Sequence, residues 1–260
     1  MRFVLGLEYD GTRFCGWQSQ RNERSVQQTL EEAISTVADH PTSVVCAGRT
    51  DAGVHALGQV VHFESDANRP ERAWTIGVNS NLPEDVSVRW AVRVGEEFHA
   101  RFSARARTYR YVIHNAKSRS ALLARRAWWH HRRLEIDRMR AAANFLIGEH
   151  DFSSLRASEC QARSPVRTVL SVDVGRSGDV VWIEVKANAF LHHMVRNIAG
   201  TLVRIGRQDA EPGWMGDVLE SRDRRVAGMT APACGLYLLR VDYGADLETP
   251  VPDMAAIPAG

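Results

Sequence analysis

The chain has 260 residues, a mass of 29.1 kDa and a formal net charge of +2, with 44% hydrophobic and 25% charged residues. A chain of that length buries roughly 70–75% of its unfolded surface, so it needs no disulfide or metal staple. No apolar run nears the roughly 20 residues that span a bilayer, and the start, MRFVLGLEYDG, lacks the apolar stretch and cleavage site of a signal peptide. Neither a membrane span nor a secretory leader is expected.

In chain order, residues 2–9 alternate as a strand and lead into a Gly-rich loop, YDGTRFCGWQSQ. The segment SVQQTLEEAISTVADH then sets Val26, Leu30, Ala33, Ile34 and Val37 at helical spacing, with Ser25 and Gln28 matching a capping box. Strands are expected at 43–47 and 57–64, a short helix near 70–79 and a strand near 86–94. A second series follows: a strand at 103–114, a helix at 135–147, strands at 168–175 and 180–187, a helix at 190–206 and a last strand at 235–243. Each series has the order β-α-β-β-α-β of a ferredoxin-like unit. The expected fold is therefore α/β, of the α+β kind: two pseudo-symmetric halves, 1–97 and 98–243, with adjoining antiparallel sheets and a central cleft as the binding site. The stretch 244–260, rich in Pro and Ala, is expected to be a loose tail.

Cys15, Cys46, Cys160 and Cys234 are scattered with no C-x-x-C pair, which supports neither a disulfide framework nor a zinc ribbon and suits a reducing cytoplasm. Charge is distributed unevenly. Residues 101–140 hold eleven Arg and one Lys against Glu135 and Asp137, a local charge of +10, which leaves −8 for the remainder. A solvated face would account for such a run. Interleaved rings (Phe102, Tyr109, Tyr111, Trp128, Trp129) favour nucleic acid instead, because bases stack on rings while phosphates pair with Arg.

The stretch CAGRTDAGVHALGQVVHF, residues 46–63, sets Asp51 on a turn between Gly48 and Gly53, two residues after Arg49. By local sequence alone such an Asp caps its own turn. A phosphate-cradling loop is excluded, since there is no G-x-x-x-x-G-K-[ST] and no helix follows.

AGRTDAGVHA resembles the signature of the tRNA pseudouridine synthase A family. The resemblance continues through YDGTRFCGWQSQ, NSNLPEDV, FHARFSARARTYRY, HDFSSLR, NAFLHHMVRNIAGTL and GLYLLRV, over essentially the whole chain before the tail. It implies that Asp51 is the catalytic residue, that Arg196 is its charged partner, that Arg49 lies near the RNA, that Tyr109 stacks on the target base, and that Leu236 lines the pocket. The reaction it implies converts uridine to pseudouridine at positions 38, 39 and 40 of the tRNA anticodon stem-loop, with a homodimer holding the tRNA and no cofactor. Asp51 could attack C1′ or stabilise or deprotonate the sugar, and the residues do not choose between these. Desolvation alone would disfavour the ionised carboxylate, and one Arg at about 4 Å offsets it by on the order of 4 kcal/mol at an effective dielectric near 20.

Arg105, Arg107, Arg110, Arg125 and Arg126 are the candidate phosphate contacts, although the Arg-rich LLARRAWWHHRRL lies outside the resemblance. Of the ten histidines, His55, His62, His99, His130, His131 and the adjacent His192 and His193 invite a metal reading, but they show no H-E-x-x-H or comparable set, so no metal site is expected. Two rivals stand beside the enzyme: an RNA-binding module without catalysis, and a metal-dependent phosphodiesterase using Asp51 with some of the histidines.

Overall fold

The alternating N-terminus forms strand β1, Arg2–Tyr9, in the computed structural model, which describes residues 1–257. Contacts divide the chain into two units, Met1–Arg105 with Tyr237–Asp253, and Ala106–Leu236 with the residues from Met254 onward. The fold is mixed α/β with mostly antiparallel strands.

In the first unit β1 lies between β3 (His55–Glu64) and β4 (Val86–Val94), antiparallel to both, with Leu5 opposite Val61 on one side and Ala91 on the other. Two short pairings share the other edge of β3. There β2 (Val45–Cys46) runs antiparallel, Cys46 opposite Val61, and β10 (Leu236–Asp242) runs parallel, Tyr237 opposite His55. Helix α1, Val26–Ala38, starts where the capping pattern places it: the Ser25 hydroxyl accepts the Gln28 N–H at 3.3 Å. The reciprocal half of the box is not made, because the Gln28 amide turns to Glu32. Val26, Leu30, Ala33, Ile34 and Ala38 are the buried face. The short helix expected near 70–79 contains a π-wound turn, Ala73–Gly77, and its fully buried Trp74 meets the rings of Phe3 and Phe63 at 5.1 Å each.

The second unit carries β5 (Ala106–His114), β6 (Trp128–Trp129), β7 (Gly148–Asp151), β8 (Val166–Ser177) and β9 (Val180–Ala187). Their antiparallel order is β5-β9-β8-β7, and β6 pairs parallel with the end of β5. Helices α2 (Ile136–Ala143), α3 (Met194–Gly206) and α4 (Trp214–Ser221) complete it. All residues of α3 except Arg196 and Arg204 are buried, including the polar Asn197 and Thr201.

Several boundaries differ from the sequence reading. The strand expected at 103–114 begins only at Ala106, because residues 99–103 close a turn. The helix expected from 190 begins at Met194: His193 has φ 61, a left-handed conformation that an α-helix cannot contain. His192 and His193 therefore precede the helix, and their rings lie 4.0 Å from each other. Strands β6 and β7 are too short to show a period, and α4 had no sequence reading. The last strand, read as the end of the second series, makes its parallel pairing with β3. From residue 244 to residue 257 the only regular elements are two three-residue 3-10 turns, with the Thr249 hydroxyl donating to the Val241 carbonyl at 3.1 Å and Ile257 buried.

All four cysteines are free thiols. Cys46 is apolar filling, and its thiol is pushed up to about 12 by burial. No helix among the described residues is long and apolar enough to cross a membrane.

Candidate active site

Asp51 is half-buried on the connection between β2 and β3, with Arg49 exposed and Thr50 buried beside it. The Gly-rich loop 9–20 holds that connection from outside. Trp17 N–H donates to the Thr50 carbonyl at 2.9 Å, Gly53 N–H to the Phe14 carbonyl at 3.4 Å, and Val54 N–H back to the Asp51 carbonyl at 3.1 Å. The approach is so close that a Cβ on Gly11 would lie 1.9 Å from the Val54 carbonyl oxygen. Gly16, at φ +94, and Gly53, at φ +77, supply the left-handed angles that the two facing turns require.

A buried polar network supports the same backbone from inside. The Tyr9 hydroxyl lies 2.8 Å from the Thr50 hydroxyl, and the Gln59 amide donates to the Gly48 carbonyl at 2.7 Å and reaches the Tyr9 hydroxyl at 3.4 Å. Gln59 is fully buried in β3. Hydrogen bonds sealed from water are costly to break, so residues 48–50 are fixed from both sides. Tyr9, Thr50 and Gln59 escaped the sequence reading; the available signal was a glutamine at a buried position of β3, next to Val60 and Val61.

The entrance of the loop has its own anchor. Buried His55 stacks on Tyr237 at 4.7 Å, and its Nδ1 lies 3.1 Å from both Gly11 N and the Asp10 carboxylate. Bare, that nitrogen accepts from Gly11; protonated, it donates to Asp10. The His55 contact, with help from the Thr12 amide, holds the Asp10 carboxyl well below the usual carboxylate range against the opposing effect of burial.

Tyr109, Arg196 and Leu236 belong to the second unit. Tyr109 sits on β5, buried, its ring edge-on to Phe190 at 4.9 Å. Tyr111, two residues on, is fully buried and donates its hydroxyl to the Pro232 carbonyl at 2.7 Å; burial raises its pKa well above the phenol range. It is a packing residue. Arg196 is on the first turn of α3, and its Nε donates to the Ala231 carbonyl at 2.8 Å while Ala231 N–H donates back to the Arg196 carbonyl. Segment 228–231 is held in turn by fully buried Asn197, which accepts from Thr230 and Arg224 and donates to the Leu155 carbonyl. Leu236 is buried at the start of β10.

The candidate phosphate contacts are not alike. Arg110 forms a half-buried ion pair with Glu184 at 2.6 Å, so its charge is met within the sheet. Arg107 donates to the Asn188 carbonyl, and Arg105 lies 3.6 Å from Asp246. Arg125 and Arg126 are exposed between β5 and β6, Arg125 at φ 63.

The family model described as tRNA pseudouridine synthase matches residues 7–103 and 142–244. A tRNA pseudouridine synthase A of Photobacterium profundum is 56% identical over 250 residues, 96% of each chain. That of Aeromonas hydrophila is 55% identical over 96% of this chain and 93% of its own, and that of Cronobacter sakazakii 52% identical over 99% and 95%. With the family model covering well over half of the sequence and relatives above 50% identity spanning nearly all of it, the chain belongs to the tRNA pseudouridine synthase family, a family of isomerases.

Proposed function

We propose that the protein isomerises uridine to pseudouridine in the anticodon stem-loop of tRNA, with Asp51 as its catalytic carboxylate and no cofactor. The observation that carries this reading is the immobilised turn: a carboxylate on a connection fixed from both sides by buried hydrogen bonds and close backbone contacts is built for a defined geometry.

The chemistry breaks the N1–C1′ glycosidic bond, turns the uracil, and joins C5 to C1′; the C5 proton is lost and N1 gains one. No electrons or atoms enter or leave, so a redox or group-carrying cofactor has nothing to contribute. Asp51 acts at C1′, either as the nucleophile that holds the sugar while the base turns or as the group that stabilises or deprotonates it. Arg196 supplies the positive charge that partners the catalytic carboxylate, and its Nε–Ala231 hydrogen bond supports a fixed direction for the guanidinium. Tyr109 stacks on the extruded base, Leu236 lines the pocket, and Arg49 meets the RNA backbone. Extrusion from a stem costs a few kcal/mol, which Arg105, Arg107, Arg125 and Arg126 offset at phosphates. Arg110 contributes less, being paired with Glu184.

The working form is a homodimer in the cytoplasm. Exposed Phe145, Ile147, Val166 and Leu170 on and around β7 and β8 are apolar surface that a second copy would cover, and free thiols suit a reducing compartment.

Asp51→Asn tests the reading. It keeps volume and acceptor capacity but removes the charge, so tRNA affinity should stay within about twofold while pseudouridine, assayed by nucleoside analysis of the treated tRNA, falls below detection. Formation within about tenfold of the parent rate, roughly 1.4 kcal/mol of barrier, would make Asp51 a turn residue only.

A further inference from the structure

Phe102 is 75% exposed, and no Phe, Tyr or Trp among the described residues is more so. Its exposure is imposed by the turn that carries it. The His99 Nδ1 accepts the N–H groups of both Arg101 and Phe102 at 3.2 Å, Ser103 N–H donates to the His99 carbonyl, and the Ser103 hydroxyl accepts the His99 N–H. Two buried side chains bolt the turn to the first unit: His62 Nδ1 accepts the Ala100 N–H at 3.1 Å, and the Tyr243 hydroxyl donates to the Ala100 carbonyl at 2.7 Å. So braced, the turn cannot fold the Phe102 ring inward.

One face of the ring is backed by the His99 imidazole, stacked at 4.3 Å and 29°. His99 is itself backed by His62 at 4.7 Å. The Arg101 guanidinium lies 5.5 Å from the Phe102 centroid. A braced ring, backed by an imidazole, largely exposed and with a guanidinium over it, is an arrangement on which an unstacked nucleobase rests with its phosphate nearby. Charge selects the occupant: residues 98–105, in the same unit as the ring, hold exposed Arg101 and Arg105 and no acid, a surface suited to a polyanion.

We propose that Phe102, backed by His99 and flanked by Arg101, is a stacking platform for an unpaired base of the tRNA that is held but not chemically changed. This rests on tRNA being the substrate.

The test uses the full chain with Phe102→Ala, Phe102→Leu and Phe102→Trp, measuring the Kd for a tRNA transcript at several salt concentrations, the single-turnover rate at saturating tRNA, and sedimentation. A base stack worth about 1–3 kcal/mol corresponds to a rise in Kd of roughly 5- to 150-fold for Ala and Leu, with Trp within about twofold of the parent. The loss should reside in Kd rather than in the saturated rate, and the slope of log K against log salt should be unchanged, since a stack releases no counterions. An unchanged Kd for Ala, parent-like binding by Leu, or a collapse of the saturated rate would overturn the platform. An altered oligomeric state in the Ala variant would also overturn it, assigning the ring to a contact between copies. A parent protein that neither binds tRNA nor forms pseudouridine would instead fail the proposed function, a separate outcome.

Discussion

Replacing Asn197 by Leu conserves volume inside α3 but strands three partners at once. The amide donates to the Leu155 carbonyl at 2.9 Å and accepts from Arg224 Nη2 at 3.0 Å and from the Thr230 hydroxyl at 2.7 Å, and Asn197 itself has no solvent exposure. Arg224 has two further acceptors, the Gly228 carbonyl and the Thr230 hydroxyl, and its burial lowers its pKa, so the lost bond is one to a partly desolvated charge. A neutral bond contributes about 1 kcal/mol and one to a charged group about 1.5–3 kcal/mol, which puts the loss near 4 kcal/mol. That is a large share of the roughly 5–15 kcal/mol that holds a protein folded. At roughly 2–4 °C per kcal/mol the melting temperature should fall by about 8–16 °C. Asn197→Asp, which keeps both accepted bonds and gives Arg224 a counter-charge but sets an oxygen against the Leu155 carbonyl, should lose only about 1–3 kcal/mol. Urea unfolding followed by circular dichroism reads both variants. Because the network anchors the segment whose Ala231 carbonyl meets Arg196, turnover of Asn197→Leu should also drop at temperatures where it is still folded. If Asn197→Leu unfolds within 1 kcal/mol of the parent, or Asn197→Asp costs as much as Asn197→Leu, the network is not what holds this segment.

Two further outcomes follow from geometry and titration. Gly11→Ala puts a Cβ 1.9 Å from the Val54 carbonyl, a backbone atom that cannot swing away, and should cost about 1–3 kcal/mol and depress turnover. Gly213→Ala, at φ −60 with nothing within 4 Å, should be neutral or up to about 1 kcal/mol stabilising in the same denaturation assay. His62 is held neutral, its pKa lowered from 6.5 to about 4, by burial first and then by His99 and Arg2. The unfolded chain binds this proton more readily, so stability is complete above about pH 6.5 and is lost as pH falls towards 4, by about 3 kcal/mol for this group. His99 and His130 are depressed in the same direction. Stability measured at half-unit pH steps should therefore slope across that window, and His62→Gln should flatten it; an unaltered slope would remove His62 as the cause.

What the sequence made visible is what is local. The Ser25 cap and the Val26, Leu30, Ala33, Ile34 stripe lie within one helix, and the alternation of residues 2–9 lies within one strand, so each can be read without knowing what it packs against. Asp51 could be placed on a turn from its glycines, and its chemistry came from the family resemblance. The supports of that turn were hidden because Tyr9, Thr50 and Gln59 meet across 41 and 50 residues of chain. Asn197, Arg224 and Thr230 likewise meet across 27 and 33 residues, and no periodicity carries such a pairing. The parallel pairing of β10 with β3 was invisible for the same reason. The left-handed His193 was missed because neither the helical run after it nor the His pair announces positive φ in a residue that is not Gly.

The pairing of β10 with β3 has a bearing on the order in which the protein is born. The unit carrying Asp51 draws on both ends of the chain: the Tyr237 ring stacks on His55, Leu238 pairs with Ala56, and the Tyr243 hydroxyl fastens residue 100. The other unit is almost wholly the uninterrupted stretch between them, Ala106–Leu236. A ribosome moving from the N-terminus at about 5–20 residues per second releases Asp51 early, then makes it wait for the last strand while the middle of the chain is already able to fold. The pairing next to that turn can form only once β10 has been made, so a chain terminated before Leu236 would lack the strand that completes its Asp51 unit.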